Sequence, residues 1–243
     1  MNRLTKIVFK NIHRVPGVFF KIYRYAAHPE KYSAEEKMKP LRKILERAKI
    51  SGNIDIKVFG SENIPKEDGF IFYPNHQGVF DGFAMIEACP RPLSAVMKKE
   101  LMRIPGVKQI FQCMGAIPMD RGDAKQSLRV IKEVSERVKT GENWVIFPEG
   151  TRSREGNKVQ EFKGGSFKAA VKAKCPIVPV ALIDSFKPFD KNIPGRITVQ
   201  VHILEPIHYE EYAQMKTAEI AELVRERIID TISEYENSDV SKA

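Results

Sequence analysis

The chain is 243 residues long, enough to bury a full core in one domain with at most a small appendage, and its 42% hydrophobic and 29% charged residues are those of a folded globular protein. Its three cysteines, Cys89, Cys113 and Cys175, lie far apart with no CxxC pair, which argues against a disulfide framework or a zinc knuckle and suits a reducing compartment. The net charge of +9 sits wholly in the first fifty residues, which hold 13 Lys/Arg against 4 Asp/Glu, while the other 193 hold 27 of each sign; a charge-balanced body with no nucleic-acid motif speaks against a nucleic-acid binder.

No acidic residue precedes Glu30, and Arg3, Lys6, Lys10, Arg14, Lys21 and Arg24 are threaded through apolar and aromatic residues. On a helix Leu4, Val8, Ile12 and Val15 fall along one side and Lys6, Lys10 and Arg14 along the other. Pro16-Gly17 interrupts this helix, and "VFFKIYRYAA" resumes with Phe19, Ile22, Tyr23 and Ala26 as a second apolar stripe. The longest uncharged run, 15–20, is far short of the roughly 20 residues of a spanning helix and too short for a secretory signal. The expectation is a two-helix element, 1–27, resting on an anionic bilayer through Lys6, Phe9, Lys10, Arg14, Phe19, Phe20, Lys21, Tyr23 and Arg24. Each buried apolar side chain there contributes about 1.5–3 kcal/mol and each basic one about 1 kcal/mol. A calmodulin-like or nucleic-acid partner, or a stripe packed on the protein's own core, are the other uses of such a segment.

An α/β domain, 28–243, follows. "SAEEKMKPLRKILERAKISG" reads as a helix with a Ser33–Glu36 capping box and Gly52 as its close. Strands are expected at 54–60 and 70–74, a short helix at 83–89, and strands at 92–97 and 115–119. A strong amphipathic helix follows at 123–141, then a buried strand at 143–148, a helix at 165–174, strands at 177–183 and 196–204, and a charged helix from about 211. This alternation argues for a layered α/β domain with a largely parallel or mixed sheet and flanking helices.

"PNHQGVFD", "PMDRG" and "FPEGTRS" each follow the end of a predicted strand, where α/β sheets gather ligands. His76 and Asp81 are five apart, so they do not face each other on a regular helix. They meet if His76 lies in the loop and Asp81 on the first helical turn, with Gly78 letting the backbone fold between them. Asp81 would then fix the imidazole tautomer and leave the other nitrogen as a base. A loop histidine beside a helix cap is the alternative on spacing alone. A metal pair is the weaker reading, since no further His or Cys lies at ligand spacing. Arg121 and Arg152 offer planar forks that suit phosphate, and Lys163, Gly164 and Gly165 open a helix, another favourable place for an anion. No G-x-S-x-G elbow is present, so direct attack by a substrate hydroxyl is the simplest chemistry.

In these blocks the chain resembles the 1-acylglycerol-3-phosphate O-acyltransferase (lysophosphatidic acid acyltransferase) family over roughly 55–205. "NHQGVFD" matches the family's N-H-x4-D block, "GAIPMDRG" its second, "FPEGTRS" its third and "IVPVAL" its fourth; the first and third, in this order about 70 residues apart, are the specific pair. The resemblance implies a glycerolphosphate-acyltransferase-like fold with a membrane-resting front element, held at the cytoplasmic face without spanning it. It implies an enzyme of phospholipid synthesis that moves a fatty acyl group from acyl-CoA or acyl-carrier protein to the sn-2 hydroxyl of lysophosphatidic acid, giving phosphatidic acid, with no further cofactor and no metal. His76 would be the general base and Asp81 its orienter. Arg121, Glu149, Gly150, Thr151 and Arg152 would serve the acceptor's phosphate end, with Lys98 as a further basic candidate. Glu149 cannot attract phosphate itself, so it is expected to orient an arginine or the loop. Pro179 would shape the substrate pocket. A glycerol-3-phosphate or other lysophospholipid acyltransferase shares the blocks and stays open, as does a non-catalytic membrane-surface module, against which the polar strand-end clusters speak.

Overall fold

The structure, a computed structural model, describes residues 2–120 and 122–240, apart from the side chains at 14, 15 and 238–240. In chain order the elements are α1 (Arg3–Asn11), α2 (Val15–Ala27), α3 (Ala34–Gly52), β1 (Ile54–Phe59), β2 (Ile71–Pro74), α4 (Asp81–Ala88), β3 (Ser94–Lys98), α5 (Val107–Cys113), β4 (Ile117–Met119), α6 (Ala124–Lys139), β5 (Trp144–Val145), α7 (Lys168–Ala173), β6 (Ile177–Ile183), α8 (Lys187–Asp190), β7 (Ile197–Ile203), α9 (Tyr209–Tyr212) and α10 (Thr217–Val240). The strands form one sheet in the order β1-β7-β6-β2-β5-β3-β4. Its pairs are parallel except β6 with β7. Five strands, β6, β2, β5, β3 and β4, therefore end on the same edge.

The central strands are apolar on both faces, as a sheet covered on both sides requires. Alternation along β2 divides the core: Phe70 and Phe72 join the cluster under α1–α5, while Ile71 and Tyr73 join the cluster under α6, α7 and α10. The architecture is thus three layers, helices on sheet on helices, the mixed α/β sheet expected from the alternation of elements.

Ser33 caps α3 with the expected box: its hydroxyl accepts from the Glu36 N–H while the Glu36 carboxylate accepts from the Ser33 N–H. The stop is one residue later than expected, since Gly52 is the last helical residue and Asn53 takes the left-handed turn at φ 51°. Gly52 instead answers to packing, because a Cβ there would come within 2.7 Å of Ile7 Cδ1 on α1. The strand expected at 143–148 keeps only two ladder residues, although the Ile146 N–H still donates to Phe72 O at 3.0 Å. The C-terminal helix is split, a turn at 213–216 separating α9 from α10. Elements at 99–113 and 187–190 have no counterpart in the sequence reading.

The front end takes the expected two-helix form, but the break falls at 12–14, a 3-10 turn, and not at Pro16. Pro16 sits inside the first turn of α2, where its missing N–H costs no hydrogen bond. Leu4, Val8 and Ile12 face outward as one stripe, joined by Phe9 and Phe20 at 70% exposure each. The second stripe does not hold together. Ile22 is fully buried, Phe19 and Ala26 are half-buried, and only Tyr23 is exposed. Ile7 and Ile22 belong to the main core cluster, and the Arg3 guanidinium ties α1 down through Gly52 O, Ile193 O (2.6 Å) and Gly195 O (2.9 Å). Phe19 packs on Gly106 (φ 82°), where a Cβ would stand 2.8 Å from its ring. Among the described residues no helix is long and apolar enough to cross a membrane.

Candidate active site

β2 ends at Pro74, and the chain then turns through a polar loop into α4. The loop is clasped from inside by amide side chains. Asn75 exchanges two hydrogen bonds with the backbone of Leu182 on β6, at 3.0 and 2.7 Å. Gln77 donates to Leu182 O at 2.8 Å and accepts from the Ser185 N–H at 2.9 Å. With β2 and β6 already paired side by side, these bonds fix the loop in one place.

Asp81, in the first turn of α4, is fully buried and gathers four donors. Its Oδ2 faces His76 Nδ1 at 2.7 Å and accepts from the backbone N–H groups of Gln77 and Gly78 at 2.7 and 3.0 Å. Its Oδ1 accepts from the Ser185 hydroxyl at 2.6 Å. A carboxylate surrounded by donors makes Nδ1 the protonated nitrogen of His76. Nε2 then keeps its lone pair, and no described residue hydrogen-bonds to it. The ring lies 4.2 Å from that of Phe147, and its side chain is 19% exposed, so Nε2 stays within reach of a substrate. The loop histidine and the first-turn aspartate therefore meet, but Gly78 answers to close packing and not to an unusual backbone angle: its φ is not positive, and a Cβ there would stand 2.5 Å from Asp190 Oδ2.

The segment after β5 supplies the second wall. Glu149 is 2% exposed, and its Oε1 accepts the His76 backbone N–H at 2.8 Å, while the Ser153 N–H donates to His76 O at 2.9 Å. Glu149 therefore holds the His76 loop and makes no hydrogen bond to an arginine among the described residues, and its second oxygen, Oε2, is buried without a partner. The Gly150 N–H, a possible phosphate donor, is taken up inside the loop, donating to Phe147 O at 3.2 Å. Thr151 is exposed. Arg152 is half-buried and paired with Asp190 of α8 at 3.1 Å, and the other oxygen of Asp190 accepts from the Val79 N–H at 3.2 Å. Asp190 thus ties the arginine to the histidine loop.

Of the remaining candidates, Lys98 alone among the described residues lies on the same edge. Lys98 ends β3, exposed and 3.4 Å from Glu100. Arg121 lies outside the described residues, just beyond Asp120 at the end of β4. Pro179 is buried in the middle of β6, opposite Tyr73, and belongs to the sheet interior. Ser185 and Asp190 were not identified from the sequence; no motif marks them, and they join the site only because β6 lies beside β2.

Burial pushes the Glu149 carboxyl up from 4.5 to about 7, against the His76 N–H that favours its charged form. Between those values the folded chain keeps a proton that the unfolded chain has released, so Glu149 makes stability fall as pH rises, by roughly 3 kcal/mol at most. Glu149→Gln keeps an acceptor for the His76 N–H and removes the charge. Denaturant unfolding at about pH 5 and about pH 8 is expected to show the variant gaining on the parent only at the higher pH. An equal difference at both would place that proton elsewhere.

Three comparisons bear on this site. The family model described as Acyltransferase matches residues 55–183. The 1-acyl-sn-glycerol-3-phosphate acyltransferase of Saccharomyces cerevisiae is 32% identical over 191 residues, covering 76% of this chain and 62% of that protein, so the chain spans less than two thirds of that relative. The enzyme of the same name from Borreliella burgdorferi is 32% identical over 178 residues, covering 72% of this chain and 71% of the relative. The crystal structure of the 1-acyl-sn-glycerophosphate (LPA) acyltransferase PlsC from Thermotoga maritima superposes with a TM-score of 0.73 at 25% identity, covering 96% of this chain and 98% of that one.

Proposed function

The chain belongs to the 1-acylglycerol-3-phosphate acyltransferase family, and from that membership we propose that it transfers a fatty acyl group from a thioester, acyl-CoA or acyl-carrier protein, to the sn-2 hydroxyl of lysophosphatidic acid, giving phosphatidic acid. The observation that carries this reading is the 2.7 Å contact between His76 Nδ1 and the buried Asp81 carboxylate. His76 Nε2 takes the proton of the acceptor hydroxyl as its oxygen attacks the thioester carbonyl. The tetrahedral intermediate collapses, the carbon–sulfur bond breaks, and the thiolate leaves with the proton returned from the imidazolium. Asp81 stabilises that imidazolium in the transition state. No covalent enzyme intermediate is needed, because the thioester is already activated.

Arg152 is the acceptor's phosphate partner in this reading, with Lys98 as a further cation on the strand-end rim and Arg121 as a candidate from its sequence block. Asp190 and Val79 tie Arg152 to the histidine loop, so phosphate and base are set at a fixed separation. Charge-assisted hydrogen bonds contribute about 1.5–3 kcal/mol, so Arg152→Ala is expected to raise the acceptor KM about 10- to 100-fold with the donor KM little changed. A defect confined to the donor would remove Arg152 from phosphate recognition.

Leu4, Val8, Phe9, Ile12, Phe20 and Tyr23 form an exposed apolar surface on α1 and α2, flanked by Lys6, Lys10 and Lys21. It suits a helix pair seated in the plane of an anionic bilayer at the cytoplasmic face, where acceptor and product reside. Lipid product analysis with both donor types, offering lysophosphatidic acid and glycerol 3-phosphate in competition, tests the whole reading. Phosphatidic acid as the main product supports it; preferential acylation of glycerol 3-phosphate moves the chain to the neighbouring acceptor class, and no turnover with either leaves a binding module.

A further inference from the structure

Away from the reaction site, an open groove of about 910 Å³ runs between α2, α3 and the C-terminal end of α4. Two helical rows face each other across it. On α3 Lys39, Lys43 and Arg47 follow at successive i, i+4 positions, and on α2 Gly17, Lys21 and Tyr25 do the same. The row on α3 extends about 12 Å along the helix.

The cations of this groove fall into two groups. Arg42, also in its wall, is engaged with the carbonyls of Ile86, Cys89 and Pro90, and Lys49 is paired with Glu87. Lys21, Lys39, Lys43 and Arg47 have no side-chain hydrogen bond or ion pair among the described residues. Glu46 opposes them and is itself unpaired. Like charges at i, i+4 cost helix stability, so a row of three on α3 works against the helix that carries it. Beyond the Glu46–Arg47 ridge a smaller cleft of about 430 Å³, lined also by Lys10, continues toward α1. Phe20, next to Lys21 on α2, is exposed, so the cationic groove borders the apolar surface at that residue. α4 separates it from the chemistry: Asp81 in the first turn serves His76, while Ile86 and Glu87 in the last turn line the groove.

We propose that this groove is a binding site for the phosphate headgroup of an anionic membrane lipid, separate from the acyl-transfer site. The cations supply the anion contact, and Val18 and Tyr25 in the wall, with Phe20 at the margin, meet the glycerol and upper acyl carbons. A free phosphate would gain nothing from those apolar groups. The site rests on the reading of α1 and α2 as a bilayer-seated pair and extends it to α3, which lies outside that pair.

The test is flotation of the full chain with three kinds of vesicle: phosphatidylcholine alone, with added phosphatidylglycerol, and with added phosphatidic acid. Lys39→Ala/Lys43→Ala/Arg47→Ala is expected to lose affinity for both anionic vesicles on the order of 100-fold while binding neutral ones as the parent does. Lys39→Arg/Lys43→Arg, which keeps the charge, should bind like the parent, and thermal melting of each variant reports its fold. Phe9→Ala/Phe20→Ala should weaken binding to all three vesicles. Parental affinity of the alanine triple for anionic vesicles overturns the groove site, whatever the phenylalanine variant does; parental binding by the phenylalanine variant overturns the bilayer seat alone. Displacement from anionic vesicles by inorganic phosphate but not by chloride at equal ionic strength would make this a free-anion site and overturn the lipid assignment. So would parental vesicle binding by the triple together with lost retention on an immobilised acidic protein, which would give the groove a protein partner instead.

Discussion

His76→Ala is expected to abolish measurable acyl transfer while leaving fold and vesicle binding intact. General-base assistance is worth about 10²- to 10⁴-fold, and the imidazole Nε2 has no hydrogen-bond partner among the described residues. The fold should survive because the ring contributes one of four hydrogen bonds on Asp81, and because the backbone of residue 76 keeps its own ties to Glu149 and Ser153. Any residual rate would reflect alignment of the thioester with the acceptor, which needs no imidazole. The measurement is kcat/KM with an acyl thioester and lysophosphatidic acid, alongside a thermal melt. Turnover near that of the parent would end the assignment of the base.

The sequence carried the parts of this fold that depend on local pattern. The capping box at Ser33 and the amphipathic period of α6 specify helices by themselves, and the apolar runs of β2 and β6 specify buried strands. It carried less where an element is short. α5 follows Pro105-Gly106 and has only seven residues, and β5 has only two in its ladder, so neither repeats its period often enough to read. At the site, His76, Asp81, Glu149 and Arg152 were legible because they stand within blocks at strand ends. Ser185 and Asp190 were not, because their partners Asp81 and Arg152 lie 104 and 38 residues away along the chain. Only the placing of β6 beside β2 brings Ser185 to Asp81, and sheet order is not written in any single segment. The front end shows the same division. The amphipathic stripe Leu4, Val8, Ile12 could be read from spacing, but which residues seat the helices on the body depended on a glycine at 52 and another at 106.

Asp81→Asn is expected to cost about 10²- to 10³-fold in kcat with little change in either KM, because it removes charge while preserving geometry. The two oxygens of Asp81 have different neighbours. Oδ2 faces three N–H groups, those of His76, Gln77 and Gly78, so an amide must keep its carbonyl there. Its NH₂ then falls at the Oδ1 position, where the Ser185 hydroxyl can rotate from donor to acceptor. The loop and the histidine tautomer are retained. What is lost is the negative charge that stabilises the imidazolium while it holds the acceptor's proton. Asp81→Ala lacks that compensation: it leaves buried donors unpaired at about 1–3 kcal/mol each, and it should unfold more readily as well as fail to turn over. The pair of variants separates the two roles of the carboxylate. If Asp81→Asn turned over within about threefold of the parent, the carboxylate would be only a clasp for the loop, and proton transfer by His76 would have to proceed without it.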